Sequence, residues 1–188
     1  MSIKRKKKKI ASAVGNFLIV GGILLLSFIY LPFLNLYLNP PKIKVEVGDG
    51  FYLTIPKISA QAEVFAQVDP FNQPEYREVL KKGIAHAKGT KLPGEGGTVF
   101  LFAHSSDSPF NITRYNTIFL RLGELESGDE VIINKDKKKY IYKVVEKKEI
   151  MPWDVSYLKD TKKDQLILQT CTPIGTAFKR LLVFARPI

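Results

Sequence analysis

The chain has 188 residues and a formal net charge of +11, and its length suits one domain with a hydrophobic core. Six of the 29 basic residues form the run KRKKKK at Lys4–Lys9, which leaves 23 basic residues against 18 acidic ones elsewhere. No stripe of Lys and Arg interleaved with aromatic residues follows, so the composition argues against nucleic-acid binding.

An uncharged stretch follows the basic tip of residues 1–9 and runs as far as Pro41. About 20 apolar residues span a bilayer, so residues 10–38 are predicted to form a transmembrane signal-anchor. The alternative, a cleaved signal peptide, has an apolar core of only about 7–15 residues followed by a cleavage site, whereas the triplet Ala11–Ala13 precedes this run. Retained lysines predict a cytoplasmic N-terminus, followed by a stalk at 39–50 and an extracytoplasmic domain at 51–188.

The remainder of the chain contains short β-like runs separated by Gly, Pro, Asn and Asp, typical of a barrel or a sandwich. Helical patterning is limited to 74–83 and to one or two turns within 115–125. The eight predicted strands are 51–56, 62–65, 83–86, 98–104, 130–134, 139–145, 165–170 and 180–185.

The only cysteine, Cys171, ends the seventh predicted strand, and Arg180 begins the eighth. A lone cysteine in an exported domain is either a buried small hydrophobe or a reactive thiol. Antiparallel pairing of the two strands would place the guanidinium beside the sulfur, where it favours a thiolate or an oxyanion. Arg186 shares Arg180's face but lies roughly 20 Å along the strand. Without the thiol, Arg180 reads as a solvated strand-end charge.

A nucleophilic cysteine needs a proton partner, and the chain has two histidines. His104 ends the fourth predicted strand before the polar loop SSDSPFN, and His86 ends a shorter strand. Spacing favours His104 only modestly, because either can be a hydrogen-bonded structural histidine. A metal site formed by both histidines and Cys171 is a weaker alternative, since no pair has close ligand spacing.

The ordered set of motifs resembles the sortases, membrane-anchored cysteine transpeptidases of bacterial cell surfaces. LILQTC is similar to the family's T-L-x-T-C strand signature, and KRLLV is similar to the arginine strand that follows it. Further matching segments occur in the family's order between residues 51 and 188: LTIPKI, GIAHAKGTKLPGEGG, FLFAHSS, LRLGELESGDEVII and YIYKVVEKKEIMPWDVSYL.

The resemblance implies an eight-stranded β-barrel with short helices, in which Cys171 is the nucleophile, His104 the acid/base partner and Arg180 the oxyanion-stabilising cation. The flanking Thr170 and Thr172 are then expected to bind substrate. The implied reaction cleaves a C-terminal Leu-Pro-x-Thr-Gly-like sorting signal of an exported protein and transfers the acyl group to an amine of the cell wall or of a pilin. A cysteine hydrolase and a non-catalytic anchored binding domain are the alternatives.

Two features of some family members are not expected here. The loop that binds calcium in some sortases offers one acid, Glu95, so we predict no metal site and no cofactor. The letters DPF at Asp69–Phe71 match a lid motif, but they follow the first two strands, where an Asp-Pro turn into a helix is the better interpretation.

Overall fold

The structure is a computed structural model that describes residues 2–39, 49–106, 117–158 and 162–188. The chain divides into two compact units, Met1–Asn39 and Pro40–Ile188. Most of the predicted stalk therefore lies outside the described residues.

The first unit is a single helix, α1, at Ser2–Leu38. Its segment Ser12–Pro32 has a mean hydropathy of 2.2, and no part of it is buried inside the protein. By length and composition this helix fits a single-pass membrane anchor.

The second unit is a closed eight-stranded β-barrel, which confirms the barrel prediction over the sandwich. Its strand order is β1-β2-β3-β4-β7-β8-β6-β5. The strands are β1 Tyr52–Ile55, β2 Ala60–Val68, β3 Ile84–Ala87, β4 Thr98–Phe102, β5 Glu130–Lys135, β6 Lys138–Ile150, β7 Gln165–Thr172 and β8 Lys179–Pro187.

Side chains on these strands alternate between the barrel interior and its outer face, as the period of two requires. An interior cluster drawn from all eight strands fills the barrel and includes Leu53, Val64, Ile84, Leu101, Ile133, Val144, Leu168 and Val183. A second cluster, called here the outer cluster, covers one side of the barrel from outside and includes Phe100, Phe102, Ile150, Ile167 and Leu182.

One end of the barrel collects the predicted site residues because of how three neighbouring strands run. β4 pairs with β7 in parallel, so the C-terminal ends of both strands reach the same end of the barrel. β8 is antiparallel to β7, so its N-terminal start lies at that end as well.

A short helix, α2, at Gln73–Leu80 crosses from β2 to β3. Asn72 caps it by accepting a hydrogen bond from the backbone of Glu75, and the backbone of Phe71 donates to the Asp69 carboxylate at 2.9 Å. The DPF letters therefore form a turn into a helix, as predicted. The second predicted helical stretch contains a 3₁₀ turn at Leu122–Glu124, while residues 115 and 116 lie outside the described residues.

Candidate active site

Cys171 and Arg180 face each other directly across two neighbouring strands. They are Cα partners in the antiparallel β7–β8 ladder, which confirms the predicted pairing. Directly opposed residues in such a ladder have Cβ atoms about 4.5–5.5 Å apart. Cys171 is a free, half-buried cysteine, so its sulfur forms no disulfide and is not completely buried in the core.

His104 follows β4, which ends two residues earlier than predicted, at Phe102. The pairing with β7 nevertheless continues, because the backbone of Ala103 donates to the Gln169 carbonyl at 3.2 Å. Phe102 is the Cα partner of Gln169, so two further steps on each chain bring His104 level with Cys171. Neighbouring strands lie about 4.8 Å apart, so the backbone of the half-buried His104 runs beside that of Cys171.

Cys171 and Arg180 share the outer face of the barrel wall. Cys171 is four residues from Ile167 on β7, and Arg180 is two residues from Leu182 on β8; both of these reference residues belong to the outer cluster. Side chains an even number of residues apart along a strand point the same way, so the thiol and the guanidinium project from the outer face at one end of the barrel. His104 follows the end of the neighbouring strand β4 at that same end.

The Arg180 guanidinium is hydrogen-bonded to the backbone of the loop that precedes it. Its Nη1 donates to the carbonyls of Ala177 and Lys179, each at 3.2 Å. Backbone carbonyls leave its positive charge intact, because they are not anions. The guanidinium therefore keeps charge available for a negatively charged group on the outer face.

Tyr157, which the sequence reasoning missed, lies beside this arginine. Its hydroxyl donates to Gln169 Oε1 at 2.5 Å, and its ring stacks on Phe100 at a centroid distance of 5.4 Å. Burial raises the pKa of Tyr157 to about 12, although the charge of Arg180 opposes that rise. Tyr157 therefore stays neutral and braces β7 just before the cysteine.

Thr170 is placed differently from its prediction. Its side chain is buried at 4% exposure, and its hydroxyl donates to the Ala103 carbonyl at 3.0 Å. Thr170 is one residue from Cys171, so it points to the opposite face of β7. Substrate binding by its side chain is therefore not supported, and the hydroxyl instead ties β7 to the segment that carries His104.

Thr172 is half-buried and belongs to a polar cluster on the strand ends. Its hydroxyl lies 3.4 Å from Glu149 Oε1, and the ammonium of Lys179 lies 2.9 Å from Glu149 Oε2. The ion pair is about half exposed, so it contributes little to stability. The long contact to the Thr172 hydroxyl leaves that group able to exchange its partner for a ligand.

The loops after His104 and Cys171 are joined. The backbone of Gly175 donates to Ser106 Oγ at 2.8 Å. Two apolar side chains of the β7–β8 loop are exposed, Ile174 at 54% and Phe178 at 74%. Sequence patterns gave no sign of either feature, because both depend on how two loops distant in sequence meet.

His86 is separated from the site. It is the Cα partner of Leu101, an interior residue, so it points away from the outer face that carries Cys171. It is fully buried; its Nδ1 accepts from the Gln67 backbone at 3.3 Å, and its Nε2 lies 3.0 Å from the Lys91 carbonyl. Burial lowers the pKa of His86. The structure therefore does not assemble the alternative metal site of both histidines and Cys171.

Comparisons with known proteins agree with this geometry. A family model described as Sortase domain matches residues 53–188. Sortase D of Bacillus subtilis (strain 168) is 30% identical over 155 residues, which cover 80% of this chain and 70% of that protein.

Solved structures show the same fold. Sortase C-1 from Actinomyces oris has a TM-score of 0.63 at 25% identity, covering 75% of each chain. Sortase C2 of pilus island 1 from group B Streptococcus has a TM-score of 0.63 at 28% identity, covering 79% of this chain and 82% of that one. These matches define a sortase-type β-barrel, and the chain belongs to the sortase family.

Proposed function

We propose that the chain is a cysteine transpeptidase that cleaves a Leu-Pro-x-Thr-Gly-like sorting signal of exported proteins and transfers the new acyl group to an amine. The observation that carries this proposal is the Cys171–Arg180 pair, at the end of the barrel where β4 leads into His104. Family membership supports the reaction class.

Cys171 provides the nucleophile. Its thiolate sulfur attacks the carbonyl carbon between the Thr and Gly of the sorting signal, and the carbonyl oxygen becomes an oxyanion. Collapse of this intermediate breaks the C–N bond and leaves a thioester on Cys171. The departing amine takes its proton from the imidazolium of His104.

The second half of the reaction reverses these proton movements. The incoming amine attacks the thioester carbon and gives a proton to His104, and the thiolate of Cys171 leaves as the new amide forms. Arg180 stabilises the oxyanion in both halves, because its charge is directed to the outer face beside the sulfur. The acceptor is an amine of the cell wall or of a pilin.

Thr172 serves substrate binding and Thr170 serves positioning in this proposal. The Thr172 hydroxyl is at the surface next to Cys171, whereas the Thr170 hydroxyl is committed to Ala103. This division follows from burial, because the Thr170 side chain is 4% exposed whereas Thr172, at the end of β7, is half-buried.

The proposed location is the outer surface of a cell membrane, with a cytoplasmic N-terminus. The basic run before α1 supports this orientation, because lysines and arginines are retained on the cytoplasmic side. Protease added to intact cells should then digest the region after residue 40. Protection of that region until the cells are lysed would show the reverse orientation.

The thioester intermediate provides the test of the proposed chemistry. The full-length chain in detergent is mixed with a Leu-Pro-x-Thr-Gly peptide without amine, and its intact mass is measured after an acid quench. We expect a mass increase equal to the acyl fragment on Cys171. A chain whose mass stays unchanged with every sorting-signal peptide, while the barrel is folded, would contradict the proposal and favour a non-catalytic domain.

A further inference from the structure

The turn between β5 and β6 carries four lysines and one aspartate in five residues. We call residues 135–139, with the sequence KDKKK, the basic hairpin. Lys135 and Lys138 are Cα partners, so Asp136 and Lys137 form a two-residue turn at its tip. Asp136, Lys137, Lys138 and Lys139 are all exposed.

Lys137 occupies a position that the turn itself does not favour. Asp136 and Lys137 have φ values of 50° and 64°, the left-handed conformation required at both central residues of a type I′ turn. Asp is common at the first of these positions, but glycine is the preferred residue at the second. The lysine therefore disfavours the turn, which indicates that its side chain is kept for another role.

The basic hairpin lies where the chain enters the barrel. Tyr52 at the start of β1 is the Cα partner of Asn134, and Lys137 Nζ lies 3.2 Å from an oxygen of Asp49. Only nine residues lie between Asn39 and Asp49, which makes ten steps along the chain, and a fully extended chain spans at most about 3.3–3.6 Å per step. The connecting segment therefore has a contour length of at most about 35 Å.

The hairpin retains unpaired positive charge. Lys135 pairs with Asp136 and Lys137 with Asp49, both at exposed carboxylates. Within the described parts of the chain, Lys138 and Lys139 form no ion pair. Four lysines against two carboxylates leave a basic patch on a turn that projects from the barrel.

We propose that the basic hairpin binds the anionic phospholipid headgroups of the membrane that holds α1. This inference rests on the proposed membrane anchoring and not on the cysteine chemistry. Lysines near an anionic bilayer are attracted to it, and the attraction decays over about one Debye length. The short connection to α1 keeps the local concentration of lipid high, so a weak affinity is enough to dock the barrel.

The hairpin is remote from the candidate active site. β6 starts at Lys138 and ends at Ile150, which is the Cα partner of Arg180. Twelve residues at about 3.3 Å per residue separate these ends by roughly 40 Å along the strand. Changes in the hairpin should therefore leave transfer between soluble peptides unchanged.

Lysine acetylation of the full-length chain in lipid vesicles tests the proposal. The chain is reconstituted in vesicles of phosphatidylcholine alone or with one third phosphatidylglycerol, treated with a membrane-impermeant amine-reactive reagent, and digested for mass spectrometry. We expect the labelling rate of Lys138 and Lys139 to fall about threefold or more in the anionic vesicles and to recover in 0.5 M salt. The exposed Lys82 and Lys148, which lie away from the hairpin, should not change.

Two variants separate binding from folding. Lys137→Gly should raise the melting temperature, because glycine suits the left-handed turn, and should weaken the protection of Lys138 and Lys139. Lys138→Gln with Lys139→Gln should preserve the melting temperature and abolish the salt-sensitive protection of Lys137.

Three results would overturn the proposal. The first is equal labelling of the hairpin in both kinds of vesicle, and the second is equal protection of Lys82 and Lys148. The third is protection that requires added poly(glycerol phosphate) and occurs without anionic lipid, which would assign the hairpin to a wall polymer. Loss of the thioacyl enzyme with retained hairpin protection would contradict only the proposed function, so the two failures are distinguishable.

Discussion

Cys171 on β7 and Arg180 on β8 are Cα partners at the end of an antiparallel ladder, so the sulfur and the guanidinium emerge on the same face. The ladder has six further pairs. Five of them run from Thr170 with Leu181 to Leu166 with Ala185, and the sixth, Thr172 with Lys179, lies on the other side of the Cys171–Arg180 pair. A slip of one residue would expose the interior side chains of β7, so the buried core fixes this pairing. The packing of the barrel thus determines which cation lies beside the cysteine.

Arginine position is the subject of the first prediction. Arg180→Ala should lower turnover on the order of 10²-fold or more, because it removes a charge-assisted donor at the oxyanion. Arg186→Ala is the matched control: it lies on the same strand, but its Nη1 donates to the Asp164 carbonyl near the start of β7. The measurement is the rate of peptide transfer by each folded variant. A larger loss in Arg186→Ala than in Arg180→Ala would show that the oxyanion-stabilising arginine is Arg186, at the other end of β8.

Exchange of the histidines gives the second prediction. His104→Ala should nearly abolish turnover while leaving the melting temperature close to that of the parent, because a half-buried residue beyond the strand contributes little to the core. His86→Ala should destabilise the fold by about 1–3 kcal/mol through its lost buried hydrogen bonds, with turnover per folded molecule retained. If His86→Ala does not fold, His86→Gln, which keeps polar atoms there, serves for the same comparison. Full activity of folded His104→Ala would remove that histidine from the mechanism.

Thr170 provides a third prediction, based on its inward orientation. Thr170→Val keeps the side-chain volume but removes the donor to the Ala103 carbonyl, so unfolding free energy should fall by about 1–3 kcal/mol. Thr172→Val, at the half-buried neighbouring position, should change stability by less than about 0.5 kcal/mol. Denaturant titration measures both changes. Equal effects of the two substitutions would mean that the buried hydrogen bond does not hold β4 to β7.

Stability should also depend on pH through His86. Because burial lowers the pKa of this residue in the folded state, the unfolded chain binds more protons below about pH 6.5. The free energy of unfolding should therefore fall as the pH drops below that value, by at most about 1.4 kcal/mol per pH unit from this group. His86→Gln should flatten the dependence, whereas the matched variant His104→Gln should retain most of it. An unchanged slope in His86→Gln would assign the acid sensitivity to other groups.

The fold was largely predictable because strand signals were clear where apolar and β-branched residues alternate. All eight strands occur near their predicted positions. β6 runs furthest past its predicted end, since it continues to Ile150 through EKKEI, five residues further. Lys and Glu are poor indicators of strands, and pairing of this segment with β8 is a tertiary effect that no local pattern reveals.

The candidate site was predictable only in part. Cys171 lies near the end of one predicted strand and Arg180 at the start of the next one, so their pairing follows if the two strands form a simple antiparallel hairpin. The nearness of His104 to Cys171 depends instead on parallel pairing of β4 with β7, and more than 60 residues separate those strands in the sequence. Tyr157 was missed for the same reason, because its contact with Gln169 forms only when the β6–β7 connection folds back on the outer face.

Formation of a new amide tests the proposed transpeptidase activity most directly. The full-length chain is incubated with a Leu-Pro-x-Thr-Gly peptide and an excess of a glycine-based amine, and mass spectrometry identifies the products. We expect an acyl product that carries the added amine, and we expect it to disappear in Cys171→Ala, whose melting temperature should stay close to that of the parent. Water-cleaved peptide as the sole product at every amine concentration would identify a hydrolase, and amide formation that persists in Cys171→Ala would contradict the assignment of Cys171 as the nucleophile.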